Sequence, residues 1–156
     1  KILVLIKGKR IMKRGEYSGK IQTVNTEILE FLLEKRYLPI VASLAKSENG
    51  EILNVDGDRA ASYIANGLNA DILISLTDVE GIYKNFEDKD SLVKNLKYSQ
   101  LENLLEILKG GMKKKAYAAL EAFQLGANKV IICSGLTNTP VFDALENNAG
   151  TVITNE

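Results

Sequence analysis

Ala70-Asp71-Ile72-Leu73-Ile74-Ser75-Leu76 is the most apolar stretch of the chain, and it runs directly into Thr77-Asp78-Val79-Glu80-Gly81. Its apolar residues follow one another instead of recurring at helical intervals, which predicts a strand covered on both faces. The polar, glycine-ended turn after it falls where open α/β sheets bind ligands, outside the carboxyl ends of their strands. The flanking segments agree. Arg59 to Leu68 predicts a helix before the strand, and Met112 to Leu125 predicts one after the Gly110-Gly111 break. Lys129 to Cys133 repeats the apolar strand pattern, Val141 to Leu145 is a short helix, and Gly150-Thr151-Val152-Ile153 is a final strand. Apolar strands separated by helices give an α/β fold with a parallel or mixed sheet.

The remaining elements are shorter. Residues 1–6 and Arg10-Ile11-Met12 predict a hairpin turning at Lys7-Gly8-Lys9. Ile28, Phe31 and Leu32 share a helical face after a possible Asn25 cap. Leu38-Pro39-Ile40-Val41-Ala42 is expected to be a short buried strand, and Ile52 to Val55 returns as a strand after a turn over Lys46 to Gly50. Residues 78–97 are rich in loop signals. Ser99 is expected to cap a helix reaching Leu108, with Glu102 completing a capping box.

Composition narrows the chemistry. The 156 residues are 46% hydrophobic and 26% charged, enough to bury a core and too apolar for a disordered chain. Twenty basic residues balance twenty acidic ones, so no overall field favours nucleic acid or an anionic membrane. The balance is uneven in sequence: residues 1–20 hold seven basic residues and only Glu16 against them. That charge suits a solvated hairpin rim or a surface that meets an acidic partner. No apolar run reaches the roughly 18 residues of a membrane helix. The single Cys133, inside an apolar strand, reads as a buried free thiol in a cytoplasmic protein. The absence of histidine removes histidine-based triads and most zinc chemistry, leaving lysines, carboxylates, amides and backbone groups for any catalysis. The chain lacks an initiator methionine and opens inside a strand, so a segment upstream of Lys1 is expected.

Three familiar motifs are excluded by counting. Gly15 and Gly19 do not space a P-loop, and Ile21 follows Lys20 where a hydroxyl belongs. Asn54-Val55-Asp56-Gly57-Asp58 has its glycine too early for a calcium loop, and Ala65 replaces the bidentate glutamate. No G-x-G-x-x-G follows a strand. What remains is polar groups at strand ends and the run Gly110-Gly111-Met112-Lys113-Lys114-Lys115. Glycines allow close backbone approach, and lysines in a first helical turn oppose the macrodipole unless an anion offsets them. A bound polyphosphate would do so; a solvated basic turn is the plainer alternative, preferred for Lys113 and Lys114. For Asp58 the plain alternative is a helix cap, and for Asp78 a turn residue.

The blocks from Asn54 to Ala61, from Leu76 to Tyr83 and from Gly111 to Lys115, in that order, resemble the carboxy-terminal two-thirds of the amino acid kinase family. Tyr17 to Ile21, Met112 to Lys115, and Ser134-Gly135-Leu136 followed by Gly150 to Ile153 are similar to the acetylglutamate kinase branch. Within it they are most like archaeal kinases of lysine and arginine biosynthesis. Those enzymes phosphorylate the side-chain carboxylate of 2-aminoadipate or glutamate attached to a small acidic amino-group carrier protein. The resemblance implies a three-layer αβα sandwich with a mainly parallel, carbamate kinase-like sheet, and a cytoplasmic enzyme that is a homodimer when complete. It implies a substrate-side hairpin and loop over residues 1–20, a nucleotide-binding lobe over 21–156, and an amino-terminal lobe not represented here. By the same resemblance Lys115 and Asp58 are catalytic. Asn54, Ser18 and Gly19 bind the substrate, and Thr77, Asp78, Val79, Gly81, Ile82, Tyr83, Gly111 and Met112 border ATP. Magnesium is held mainly by the phosphates, with no metal ligand from the chain. Three readings stay open beside this one: a kinase of free N-acetylglutamate, a uridylate kinase, and a nucleotide-binding segment without turnover.

Overall fold

The chain begins as an antiparallel hairpin, β1 (Ile2–Ile6) and β2 (Lys9–Lys13), with Ile2 opposite Lys13 and Ile6 opposite Lys9. The computed structural model describes residues 2–6, 9–13, 17–146 and 149–155. Lys1, Lys7 and Arg14, three of the charges noted in the sequence, lie outside them. The chain divides into two units, residues 1–60 and 61–156.

In the first unit α1 (Glu27–Glu34) starts with the Asn25 side chain accepting the Glu27 N–H at 3.0 Å, and Thr26 is the N-cap. Arg36, with φ 62°, ends it. The expected strand over residues 38–42 does not form: the chain there is unpaired among the described residues, and Leu38 and Ile40 are 85% and 93% exposed. An apolar run signals burial, but a strand also needs a neighbouring backbone to bond. The pairing occurs later, where β3 (Leu44–Lys46) meets β4 (Ile52–Asn54) antiparallel. The turn between them is closed by the Ser47 hydroxyl, which accepts the Glu51 N–H at 3.0 Å, and by Gly50 at φ 86°. Ile28, Phe31, Leu44 and Ile52 are also exposed, so this unit presents an apolar surface. α2 (Gly57–Gly67) follows, two residues earlier than expected.

The second unit is built on β5 (Leu73–Thr77), β6 (Asn95–Lys97), α3 (Tyr98–Ile107), α4 (Gly110–Gln124), β7 (Lys129–Ser134), α5 (Pro140–Leu145) and β8 (Thr151–Thr154). The sheet order is β5-β7-β8-β6; β5–β7 and β8–β6 are parallel, and β7–β8 is antiparallel. β7 shows why the sheet needs cover on both sides. Val130 and Ile132 pack into a cluster with Leu101, Leu104, Ala116, Leu120 and Phe123 of α3 and α4. Ile131 and Cys133, alternating with them, pack against Ala144 of α5. Each fully buried aliphatic side chain of this kind contributes about 1.5–3 kcal/mol, so this strand is the centre of a three-layer arrangement. α3 does not begin at Ser99 or use Glu102. Its cap is Lys97, two residues earlier, so it emerges straight from β6, and the Lys97 N–H donates to Gln100 Oε1 at 3.0 Å. β6 is only three residues long, too short to register as a strand pattern. No helix among the described residues is long and apolar enough to cross a membrane.

Candidate functional site

Lys115 lies in the second turn of α4, and its ammonium reaches the carboxyl end of β5. Nζ donates to the Thr77 hydroxyl and lies 3.7 Å from Asp78 Oδ1. The Thr77 hydroxyl in turn donates to Asp78 Oδ1 at 3.0 Å. That hydrogen bond, then one from the Asp78 main chain and the Lys115 charge, hold the Asp78 carboxyl below its ordinary pKa. The geometry separates Lys115 from its neighbours: it is half-buried and aimed at the loop, whereas Lys113 and Lys114 are exposed. The glycines ahead of it are part of the helix, since α4 starts at Gly110 with φ 55°. A Cβ at Gly110 or Gly111 would meet nothing within 4 Å, so the first turn is open to close approach.

The loop after β5 splits into two parts. Thr77 to Glu80 is at the surface or half-buried, and Gly81, Ile82 and Tyr83 are buried. The Ile82 and Tyr83 side chains belong to the core, as does Met112, which packs in the same cluster. Their side chains hold up the loop and the start of α4. The Tyr83 hydroxyl donates to Glu80 Oε2 at 2.8 Å; burial first, and then that bond, raise its pKa. Val79 packs against the same core. Of the expected loop residues, Thr77 and Asp78 can meet a ligand with side chains.

In the first unit the expected substrate residues come together. Ser18 bridges Asn54 in parallel pairing, the Gly19 N–H donates to the Asn54 carbonyl at 3.0 Å, and the Asn54 N–H donates to the Tyr17 carbonyl at 2.7 Å. Gly19 packs closely on Leu53: a Cβ would sit 2.8 Å from Leu53 Cδ1, so that side chain would have to shift to admit one. The Asn54 and Asp58 side chains are exposed. The cap of α2 is Asp56, whose Oδ1 accepts the Arg59 N–H at 3.1 Å, an interaction of about 1 kcal/mol. Asp58 lies inside the first turn and is not the cap.

One part of the rim carried only a weak sequence signal. The Gly135 N–H donates to the Thr77 carbonyl at 2.8 Å, tying the end of β7 to the end of β5. The loop beyond is fixed by Asp143, whose carboxylate accepts from the Thr137 and Thr139 hydroxyls at 2.8 and 3.0 Å. Two threonines ahead of an aspartate in a short helix give no distinctive spacing, and only Ser134-Gly135-Leu136 pointed to this rim. Chemically, an ammonium, a hydroxyl, an ionised carboxylate and an open helix start at a strand end suit the phosphates of a nucleotide.

The model of the amino acid kinase family matches residues 2–134. A Cenarchaeum symbiosum protein named as a LysW-aminoadipate/LysW-glutamate kinase is 36% identical over 152 residues, which is 97% of this chain and 56% of that protein. The acetylglutamate kinase of Gracilaria tenuistipitata var. liui is 42% identical over 125 residues, 79% of this chain and 44% of that one. The chain thus spans about half the length of these curated relatives. Among solved structures, N-acetylglutamate synthase from Neisseria gonorrhoeae, complexed with coenzyme A and L-arginine, superposes with a TM-score of 0.80 at 27% identity. That match covers 97% of this chain and 34% of the synthase.

Proposed function

The chain belongs to the amino acid kinase family, and we propose that it forms the nucleotide-binding and transition-state-stabilising part of an ATP-dependent carboxylate kinase. The observation that carries this is the Lys115 ammonium held between the Thr77 hydroxyl and the Asp78 carboxylate at the end of β5. In the reaction, an oxygen of the acceptor carboxylate attacks the γ-phosphorus of ATP. The bond to the β,γ-bridging oxygen breaks, ADP leaves with that electron pair, and an acyl phosphate forms. The nucleophile is ionised at neutral pH, so no histidine base is needed. Charge spreads over the transferred phosphoryl in the transition state, and a pre-positioned lysine stabilises it there. To Asp58 we assign the part that the family resemblance implies, a carboxylate that organises catalytic lysines. The Thr77 hydroxyl and the open first turn of α4 receive the phosphates, while the Asp78 carboxylate orients Lys115. Bound magnesium would supply charge neutralisation on those phosphates.

For the acceptor we favour the side chain of 2-aminoadipate or glutamate borne on an acidic carrier protein, with Asn54, Ser18 and Gly19 contacting the amino acid. The excess of basic residues in the first twenty supports a protein-borne, acidic substrate. The relative from Cenarchaeum symbiosum carries a name of that kind. Free N-acetylglutamate is the second acceptor, supported by the acetylglutamate kinase relative. Phosphorylation assays with both acceptors, trapping the acyl phosphate as a hydroxamate, separate them. Product from N-acetylglutamate alone would reject the carrier reading.

A further inference from the structure

Thr151 is the first residue of β8, and it is fully buried. Its hydroxyl oxygen accepts the N–H of Ile82 at 2.8 Å, joining the end of the chain to the loop after β5. Ile82 is itself fully buried, and its carbonyl accepts the Val93 N–H at 2.8 Å. The Thr151 hydroxyl is therefore the partner that keeps this buried amide satisfied.

Two glycines make the approach possible. A Cβ on Gly81 would lie 2.7 Å from the Thr151 hydroxyl and 3.0 Å from the Thr151 nitrogen. Gly150 has φ 79°, and a Cβ there would fall 2.2 Å from the Ile132 carbonyl oxygen. Backbone packs directly on backbone at both points, and the hydroxyl bridges what is left. Upstream on the same loop, four residues before Ile82, sits Asp78 with Lys115 beside it.

We propose that Thr151 is a positioning residue for the nucleotide site: its hydroxyl fixes the inner end of the Thr77–Ile82 loop, and so the placement of Thr77 and Asp78 against Lys115. This rests on the nucleotide reading of that loop. Valine has nearly the shape of threonine but cannot accept, so Thr151→Val leaves the Ile82 N–H buried and unpaired, and the loop must shift to relieve it. Thr151→Ser keeps the acceptor.

The test combines amide hydrogen exchange with calorimetric titration of Mg-ATP on the full chain. In wild type the Ile82 amide exchanges slowly. In Thr151→Val it exchanges at least about tenfold faster relative to the Val152 amide, and the Kd for Mg-ATP rises about tenfold, the scale of one lost buried hydrogen bond. Thr151→Ser stays within about twofold of wild type in both readouts. Ile153→Val, a core truncation in the same strand, lowers Tm without moving the Kd. Rapid exchange of Ile82 in wild type overturns the proposal, and this needs no variant to fold. An unchanged Kd in a Thr151→Val protein that has lost Ile82 protection also overturns it, as does an Ile153→Val Kd that rises as much. If wild type binds no Mg-ATP while Ile82 still depends on the Thr151 hydroxyl, the nucleotide reading fails and the tether stands.

Discussion

Replacing Lys115 by methionine removes the charge and keeps a side chain of similar length. Two unit charges about 4 Å apart interact by about 4 kcal/mol at an effective dielectric near 20. The Lys115 side chain is one-quarter exposed, so solvent screens part of this, leaving about 3 kcal/mol to act on the developing charge. At 1.36 kcal/mol per factor of ten, that is roughly a 150-fold fall in kcat for acyl phosphate formation. The effect belongs to kcat, because the charge on the transferred group grows only as the transition state is approached. The Kd for Mg-ATP, read separately by calorimetry, rises less. Lys113→Met and Lys114→Met, whose side chains are exposed, leave kcat within about twofold. The assay is ADP release in a coupled spectrophotometric format, with hydroxamate trapping to confirm the product. A Lys115→Met protein with near-normal kcat, or equal losses in all three variants, would refute the reasoning.

Tyr83 gives a pH prediction. Burial keeps its phenol protonated in the folded chain above its ordinary pKa of 10, so the unfolded chain ionises first and stability falls as pH rises beyond about 10. Urea unfolding from pH 8 to 11 should show a shallower decline in Tyr83→Phe, and identical slopes would count against the burial argument. Gly150→Ala combines φ 79° with a Cβ 2.2 Å from the Ile132 oxygen; we expect at least about 3 kcal/mol of destabilisation, and a Tm within two degrees or so of wild type would contradict it. For the hairpin, Lys9→Glu with Lys13→Glu should raise KM for the carrier-borne substrate, most at low salt, while KM for ATP stays constant. The Debye length of about 8 Å at physiological salt sets how quickly the effect fades, and carrier kinetics unchanged at low salt would remove the steering role.

How far the sequence was readable follows from what each signal encodes. β5 and β7 were legible because a strand covered on both faces leaves an uninterrupted apolar run. β6 was not, because three residues establish no period. Residues 38–42 had the composition of a buried strand and remain exposed here, since composition says what avoids water and nothing about which backbone lies alongside. At the site, the family resemblance singled out Lys115 from Lys113 and Lys114; in the structure Lys115 reaches Thr77 and Asp78 while its two neighbours are exposed. Motif membership could not tell ligand-facing residues from supporting ones: Ile82, Tyr83 and Met112 sit among the expected contacts and are core. The Thr151 hydroxyl on the Ile82 amide joins positions 69 residues apart, and neither residue type marks the other in a linear reading.

The resting contacts of Lys115 bear on how such a site turns over. A lysine locked into a dry ion pair would have to break it before stabilising a phosphoryl group. Here the partner carboxylate, Asp78, is exposed and lies 3.7 Å away, a separation longer than a good charge-assisted hydrogen bond. Water screens that attraction, so little is lost when the ammonium turns toward a nucleotide. The Thr77 hydroxyl keeps the ammonium at the strand end while it turns, because it can accept from Lys115 and donate to Asp78 at once. On the proposed nucleotide reading, Asp78, held ionised chiefly by that same hydroxyl, keeps Lys115 in place before nucleotide arrives without competing strongly afterwards. Removing the hydroxyl and removing the lysine therefore disturb different steps: the first loosens where the ammonium waits, and the second deletes the charge that acts.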